Sequence, residues 1–345
     1  MIARISENML LLLVGAALGP AGLGMLSADV LSHIDPAMPV ALVAIGVLAG
    51  LGVSARSRVE RRLLGAAGAE ALVATAAVAG GMLLAASLWD APSGVPYWLF
   101  ALVLGICAAP SAAASRREDA GAIAERIGAL DALLPIALGA VVLAVVREPS
   151  AAAAAATLLQ SCGVTVVIVL AGWLLIRSSS SDTEQRVFTA ALLLLLGGAA
   201  DYLSLSALLS GLLAGLLLEK IGGQARDAVR RDVLHFQHPL LVLVLIVAGA
   251  RVELPPAWIG LGLVYILLRT GAKLAGGWAA RRIAGSAAPE LGMPLLSPGI
   301  LGVAFALNVL RASGPDASAI LAVAAIGTLG SDLISSLVNP REEPT

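Results

Sequence analysis

Three ionisable side chains stand where an ionisable side chain is expensive. Asp131 lies in RIGALDALLPIALGAV (126–141), and Arg269 and Lys273 lie in YILLRTGAKLAGG (265–277). Both stretches are apolar enough for lipid, where each charge at mid-depth costs about 2.5–3.5 kcal/mol. Arg269 and Lys273 are four residues apart, which puts them on one face of a helix. Such residues face a bundle interior or a wet cavity and mark ion, proton or substrate paths. A carboxylate stripped of water must be neutralised, and either a proton or a metal cation can do it. Two plainer readings stand beside this one. Asp131 can cap the cytoplasmic start of its helix, and Lys273 can snorkel along its own stem. Two basic groups against one acid leave a positive excess, and Asp332 is the acid we nominate to balance it.

The elements that must position these groups are membrane helices. Of 345 residues, 59% are hydrophobic and 13% charged, which is more apolar surface than a soluble interior of this size can hold. Thirty-seven glycines with only 3% aromatics suit helices that pack backbone against backbone. A net charge of -1 argues against a nucleic-acid partner. Cys107 and Cys162 fall in apolar segments and form neither a disulfide framework nor a metal pattern. His33, His235 and His238 have no cysteine or carboxylate cluster around them, so no metal or cofactor site is expected. No paired Ser/His or His-Glu-x-x-His motif points to an enzyme.

Spanning a bilayer takes about 20 apolar residues. About twelve such runs occur, near 8–27, 37–54, 64–89, 96–115, 127–146, 153–176, 186–201, 204–219, 233–250, 257–280, 292–310 and 317–338. Basic residues cluster after the second, fourth, sixth, eighth and tenth runs: Arg56, Arg58, Arg61 and Arg62; Arg116, Arg117 and Arg126; Arg177 and Arg186; Lys220, Arg226, Arg230 and Arg231; Arg281 and Arg282. Arg4 and Arg341 lie at the ends, while the intervening junctions carry only Arg147, Arg251 and Arg311. This alternation places both termini in the cytoplasm of a multi-pass plasma (inner) membrane protein.

The third to fifth and tenth to twelfth runs start on opposite sides of the membrane and so form an inverted pair. Each has a proline with small neighbours in its middle member, CAAPSAAA around Pro110 and LLSPGILG around Pro298. Proline removes a donor and clashes with the preceding turn, so each helix is expected to open there. Two broken helices at matched places of an inverted repeat point to a binding site where they cross. The expected fold is therefore all-α and polytopic: an inverted-repeat core at 64–146 and 257–338, the remaining helices at 1–63 and 153–250, and no soluble domain.

Several stretches resemble the monovalent cation:proton antiporter family, most of all its sodium/proton and potassium/proton exchangers (cation:proton antiporter-2-like). They are LGPAGLG (18–24), DYLSLSALLSGLLAGLLL (201–218), AGARVEL (248–254), RTGAKLAGGW (269–278) and SPGILGVAFAL (297–307). The resemblance implies a fold with two discontinuous crossing helices, and a membrane-embedded aspartate that binds cation or proton one at a time by alternating access. It matches Asp131 to that aspartate and Lys273 to the family's basic residue, with Arg269 one turn away. It matches Pro110, Ser111, Ser297, Pro298 and Gly299 to the unwound crossing. Leu130 stands where the family carries a polar residue before the aspartate, so the two-carboxylate arrangement of its electrogenic sodium exchangers is not expected here. The implied partners are H+, Na+ or K+, the lipid bilayer and a second copy in a homodimer, with no cofactor. The same fold also admits a sodium-coupled organic-anion carrier, with Arg269 and Lys273 receiving the anion, or a regulatory homologue that does not transport.

The topology is testable by itself. Alkaline phosphatase fused at Ser150 or Glu253 is expected to be active, and fused at Gly222 or Thr345 inactive. Activity at Thr345 would reverse the orientation.

Overall fold

The structure is a computed structural model that describes residues 6–53, 57–89, 94–112, 118–148, 150–285 and 291–338. Arg4, Arg56, Arg116, Arg117 and Arg341, which the charge pattern used, lie outside the described residues. Fourteen α-helices run in order among the described residues: α1 (Glu7–Leu18), α2 (Ala28–Ile34), α3 (Met38–Leu51), α4 (Arg58–Trp89), α5 (Tyr97–Ala108), α6 (Glu118–Leu130), α7 (Leu133–Arg147), α8 (Ala151–Ser178), α9 (Asp182–Tyr202), α10 (Ala207–Ile221), α11 (Gly223–Ala250), α12 (Pro256–Ala284), α13 (Ile300–Ser313) and α14 (Ser318–Val338). No β-strand is present among the described residues, apart from one isolated bridge discussed below.

Local chemistry sets many helix ends. Ser6, Ser27, Ser150, Ser181 and Ser206 are N-caps whose hydroxyls accept a backbone N–H of the first turn. Gly285 ends α12 in the left-handed region, at φ 69°, where a side chain would be strained.

Among the described residues, seven helical stretches are long and apolar enough to cross a membrane: Ala28–Leu51, Arg58–Trp89, Ile123–Arg147, Ala151–Ser178, Gly223–Ala250, Pro256–Ala284 and Pro315–Val338. The twelve apolar runs of the sequence are thus more numerous than the full-length helices. α1 and α5 have 12 residues each and α13 has 14, because the chain leaves the helix at Gly19, at Ala109 and before Ile300. α10 stops after 15 residues at Gly222. Helix α9 has 21 residues, but its first turns carry Asp182, Glu184 and Arg186.

The chain divides into two compact units. The first takes the described residues of Met1–Leu26, Ala55–Pro135 and Leu245–Thr345, and the second those of Ser27–Ser54 and Ile136–Val244. In the first unit α4 packs against α5, α6 and α12; α14 packs on α12, α13, α5 and α1. Glycine lets these backbones approach. A Cβ on Gly105 of α5 would stand 2.5 Å from the Thr75 carbonyl oxygen of α4, and one on Gly302 of α13 would stand 2.3 Å from that of Cys107. In the second unit α3 lies along α10, with α8 and α9 beside them. Gly46 and Gly50 of α3 face Gly211 and Gly215 of α10, and any Cβ there would fall 2.2–2.4 Å from a carbonyl oxygen of the other helix. Lipid offers no hydrophobic drive for helix association, so this close van der Waals fit must supply it.

Gly211→Ala is expected to destabilise the protein by about 1–3 kcal/mol through overpacking, read as a lower midpoint of thermal unfolding in detergent. Gly163→Ala on α8, where nothing lies within 4 Å of the new Cβ, is the control and should leave the midpoint level or higher.

Candidate functional site

The site lies within the first unit, where two helices stop short. α5 ends at Ala108, and the chain continues through Ala109–Pro110–Ser111 in non-helical form. On the other arm a 3₁₀ turn, Pro294–Leu296, leads to Ser297–Pro298–Gly299, and α13 starts at Ile300 with Gly299 as its N-cap. The two opened segments cross as an antiparallel bridge between Ser111 and Pro298. Ala112 N–H donates to the Ser297 carbonyl and Gly299 N–H to the Pro110 carbonyl, both at 3.0 Å. Ser111 and Pro298 are opposite each other as a non-hydrogen-bonded pair, so the flanking residues supply the bonds. The missing N–H of each proline is therefore not needed, which is why proline can sit at the crossing. A Cβ on Gly299 would press to 3.1 Å on the Pro110 carbonyl carbon.

Opening a helix inside a bundle leaves carbonyls without intrahelical donors. Two side chains of α12 meet them. Arg269 Nη1 donates to Leu296 O at 2.7 Å and Nη2 to Pro110 O at 3.3 Å. Lys273 Nζ donates to the carbonyl of Ala109 and, at 2.7 Å, to Ser111 Oγ. Placed at the end of α5, the two cations also offset the negative end of its dipole.

The carboxylates come from two further helices. Asp131 occupies the break between α6 and α7 and is fully buried. Its Oδ2 is 3.5 Å from Lys273 Nζ, and neither of its oxygens accepts a hydrogen bond. Glu70 of α4 is also fully buried; its Oε1 accepts from Lys273 Nζ at 2.8 Å, while Oε2 has no hydrogen-bond partner. Ser111, Ser297 and Asn308 are buried, and the Asn308 amide nitrogen and the Thr75 hydroxyl also lack partners.

Asp131, Lys273, Arg269, Pro110, Ser111, Ser297, Pro298 and Gly299 thus occupy one buried neighbourhood. Two readings of the sequence need correction. Asp131 does not cap the start of a helix, since helix lies on both sides of it and its carboxylate faces Lys273 and Ser111 of the crossing. Lys273 does not snorkel, since its ammonium is fully buried and bonded. The acid hydrogen-bonded to Lys273 is Glu70, which the sequence reading passed over. Asp332 accepts from the hydroxyl of Ser6 and acts on Arg269 only through space, without a hydrogen bond to it. A signal was available: two basic groups against one acid is an unbalanced account, and Glu70 is a lone acid in the small-residue run LLGAAGAEALVATAAVAGG. The site therefore holds two carboxylates, delivered by separate helices rather than by neighbouring residues.

No protein-family model and no curated protein matches the sequence. Among solved structures, the chain is similar to the sodium proton antiporter MjNhaP1 from Methanocaldococcus jannaschii, with a TM-score of 0.64 over 96% of this chain and 89% of that one. The fold is that of a sodium/proton antiporter. Sequence identity is 17%, so the likeness is one of architecture.

Arg269→Met is expected to leave the Leu296 carbonyl without its donor, at about 1–3 kcal/mol, while the Pro110 carbonyl keeps the Gly299 N–H. Thermal unfolding in detergent should show the loss. Arg269→Lys should recover it only in part, because a single ammonium does not reproduce the guanidinium fork that spans both strands of the crossing.

Proposed function

We propose that the chain is a proton-coupled monovalent cation antiporter, exchanging Na+ or K+ for H+ at Asp131 by alternating access. The observation that carries this reading is the state of Asp131. It is a fully buried carboxylate, neither oxygen of which accepts a hydrogen bond, next to two opened backbone segments. A buried carboxylate whose only ion-pair partner among the described residues, Lys273 at 3.5 Å, gives it no hydrogen bond is costly and favours a neutralising occupant. A proton neutralises it as O–H. A desolvated Na+ or K+ does so through oxygen ligands, for which the Ser111 and Ser297 hydroxyls and the carbonyls of the crossing are the available groups. Ser111 Oγ already accepts from Lys273, so its own proton is free to turn towards Asp131. A small site that takes one of the two occupants at a time couples their movement. With the charge of Lys273 matched by Glu70, trading one proton for one cation leaves the net charge of the site unchanged. The exchange is then electroneutral.

The likeness in fold to a sodium proton antiporter supports the same reading. An organic-anion carrier would need uncommitted cations. Lys273 and Arg269 are instead bonded to Glu70, Ser111 and three carbonyls.

The test uses everted vesicles that carry the protein, acidified inside, with a pH-sensitive dye. Addition of Na+ or K+ is expected to raise the internal pH, and Asp131→Asn is expected to abolish the response. A full response in Asp131→Asn would overturn the assignment. Wild-type vesicles silent to Na+, K+ and Li+ would favour the reading of a scaffold that does not transport.

A further inference from the structure

The ammonium of Lys273 has three N–H bonds, and all three are committed: to Glu70 Oε1 at 2.8 Å, to Ser111 Oγ at 2.7 Å and to the Ala109 carbonyl. None is left for Asp131, which pairs with the ammonium by charge alone, its Oδ2 3.5 Å from Nζ without a hydrogen bond between them. Lys273 is in effect a tethered monovalent cation beside the acid, turned away from it. Among its three acceptors only Glu70 carries a charge, and a charge-assisted bond is about twice as strong as a neutral one. Glu70 is fully buried and its Oε2 has no hydrogen-bond partner, so among the described residues no other donor competes for it.

We infer that Glu70 is a positioning residue that holds the Lys273 ammonium off Asp131 and so keeps the acid open to a free cation. This rests on the reading of Asp131 as the exchange site. Without the negative charge of Glu70, Asp131 is the one charged acceptor within reach. The ammonium then shifts onto it and competes with the incoming ion. Glu70 acts through Lys273, and its effect falls on cation affinity rather than on turnover.

Glu70→Gln keeps the size of the side chain and an oxygen that can accept from Lys273, but removes the charge. In the everted-vesicle assay, with the cation that the wild type exchanges, its apparent KM is expected to rise about tenfold or more while Vmax changes by less. Glu70→Gln with Lys273→Gln removes the tethered competitor as well, and is expected to bring KM back to the wild-type value or below. A purely structural role predicts the opposite, a double variant no better than the single. An unchanged KM in Glu70→Gln, or no recovery in the double variant, overturns the inference while leaving exchange at Asp131 intact. No exchange by the wild type sinks the underlying reading and this one with it. If Glu70→Gln alone fails to reach the membrane, the double variant, which leaves neither partner of the pair charged, decides: a KM above that of the wild type overturns the inference.

Discussion

Everything at the centre of the first unit depends on one constraint: a backbone carbonyl released from a helix in a water-poor interior needs a donor. Opening the chain at Pro110 and Pro298 releases several. The bridge between the two segments satisfies the carbonyls of Pro110 and Ser297, and α12 supplies the other donors. Arg269 ties the two opened segments together by reaching one carbonyl on each. Lys273 closes the end of α5. Once two cations are buried for this purpose they need counter-charges, because an unpaired buried charge costs far more than a paired one. Glu70 and Asp131 are those counter-charges. The difference between them is geometric. Glu70 accepts a hydrogen bond from its cation, whereas Asp131 pairs with it only across 3.5 Å.

The packing that permits this arrangement is made of small residues. Gly105 brings α5 against α4, Gly302 brings α13 against the end of α5, and Gly276 of α12 leaves a gap filled by Glu70, whose Cγ would be 3.1 Å from a Cβ there. With larger residues the helices would stand apart and the ammonium of Lys273 would not reach across. The second unit uses the same device for a different end. Facing glycines lock α3 to α10, and its buried polar groups include the Ser161–Ser210 hydroxyl contact at 3.4 Å and Asp232 paired with Arg231.

Legibility in the sequence varied with how local the responsible physics is. The breaks near Pro110 and before Ile300 were legible because a missing N–H and a run of small residues act within a few positions. The shared face of Arg269 and Lys273 followed from a spacing of four. The number of full-length helices was less legible. An apolar run states that a segment tolerates lipid, but a capping glycine or an unpaired crossing decides how much of it is helical. Glu70 was missed because its significance lies 203 positions away, in Lys273. The end-cap reading of Asp131 went wrong for a related reason: distance from the last basic residue is a poor measure of depth when a helix is broken.

By itself the sequence determined the solvent, the all-helical class and the stock of chemically capable groups. These follow from composition, periodicity and single-residue backbone preferences, all of which act locally along the chain. Only the tertiary structure decided which acid pairs with Lys273, which carbonyls claim its protons, and which carboxylate is left bare. Those outcomes turn on differences of less than 1 Å between groups brought together from four separate helices, and no spacing along one chain encodes such a difference.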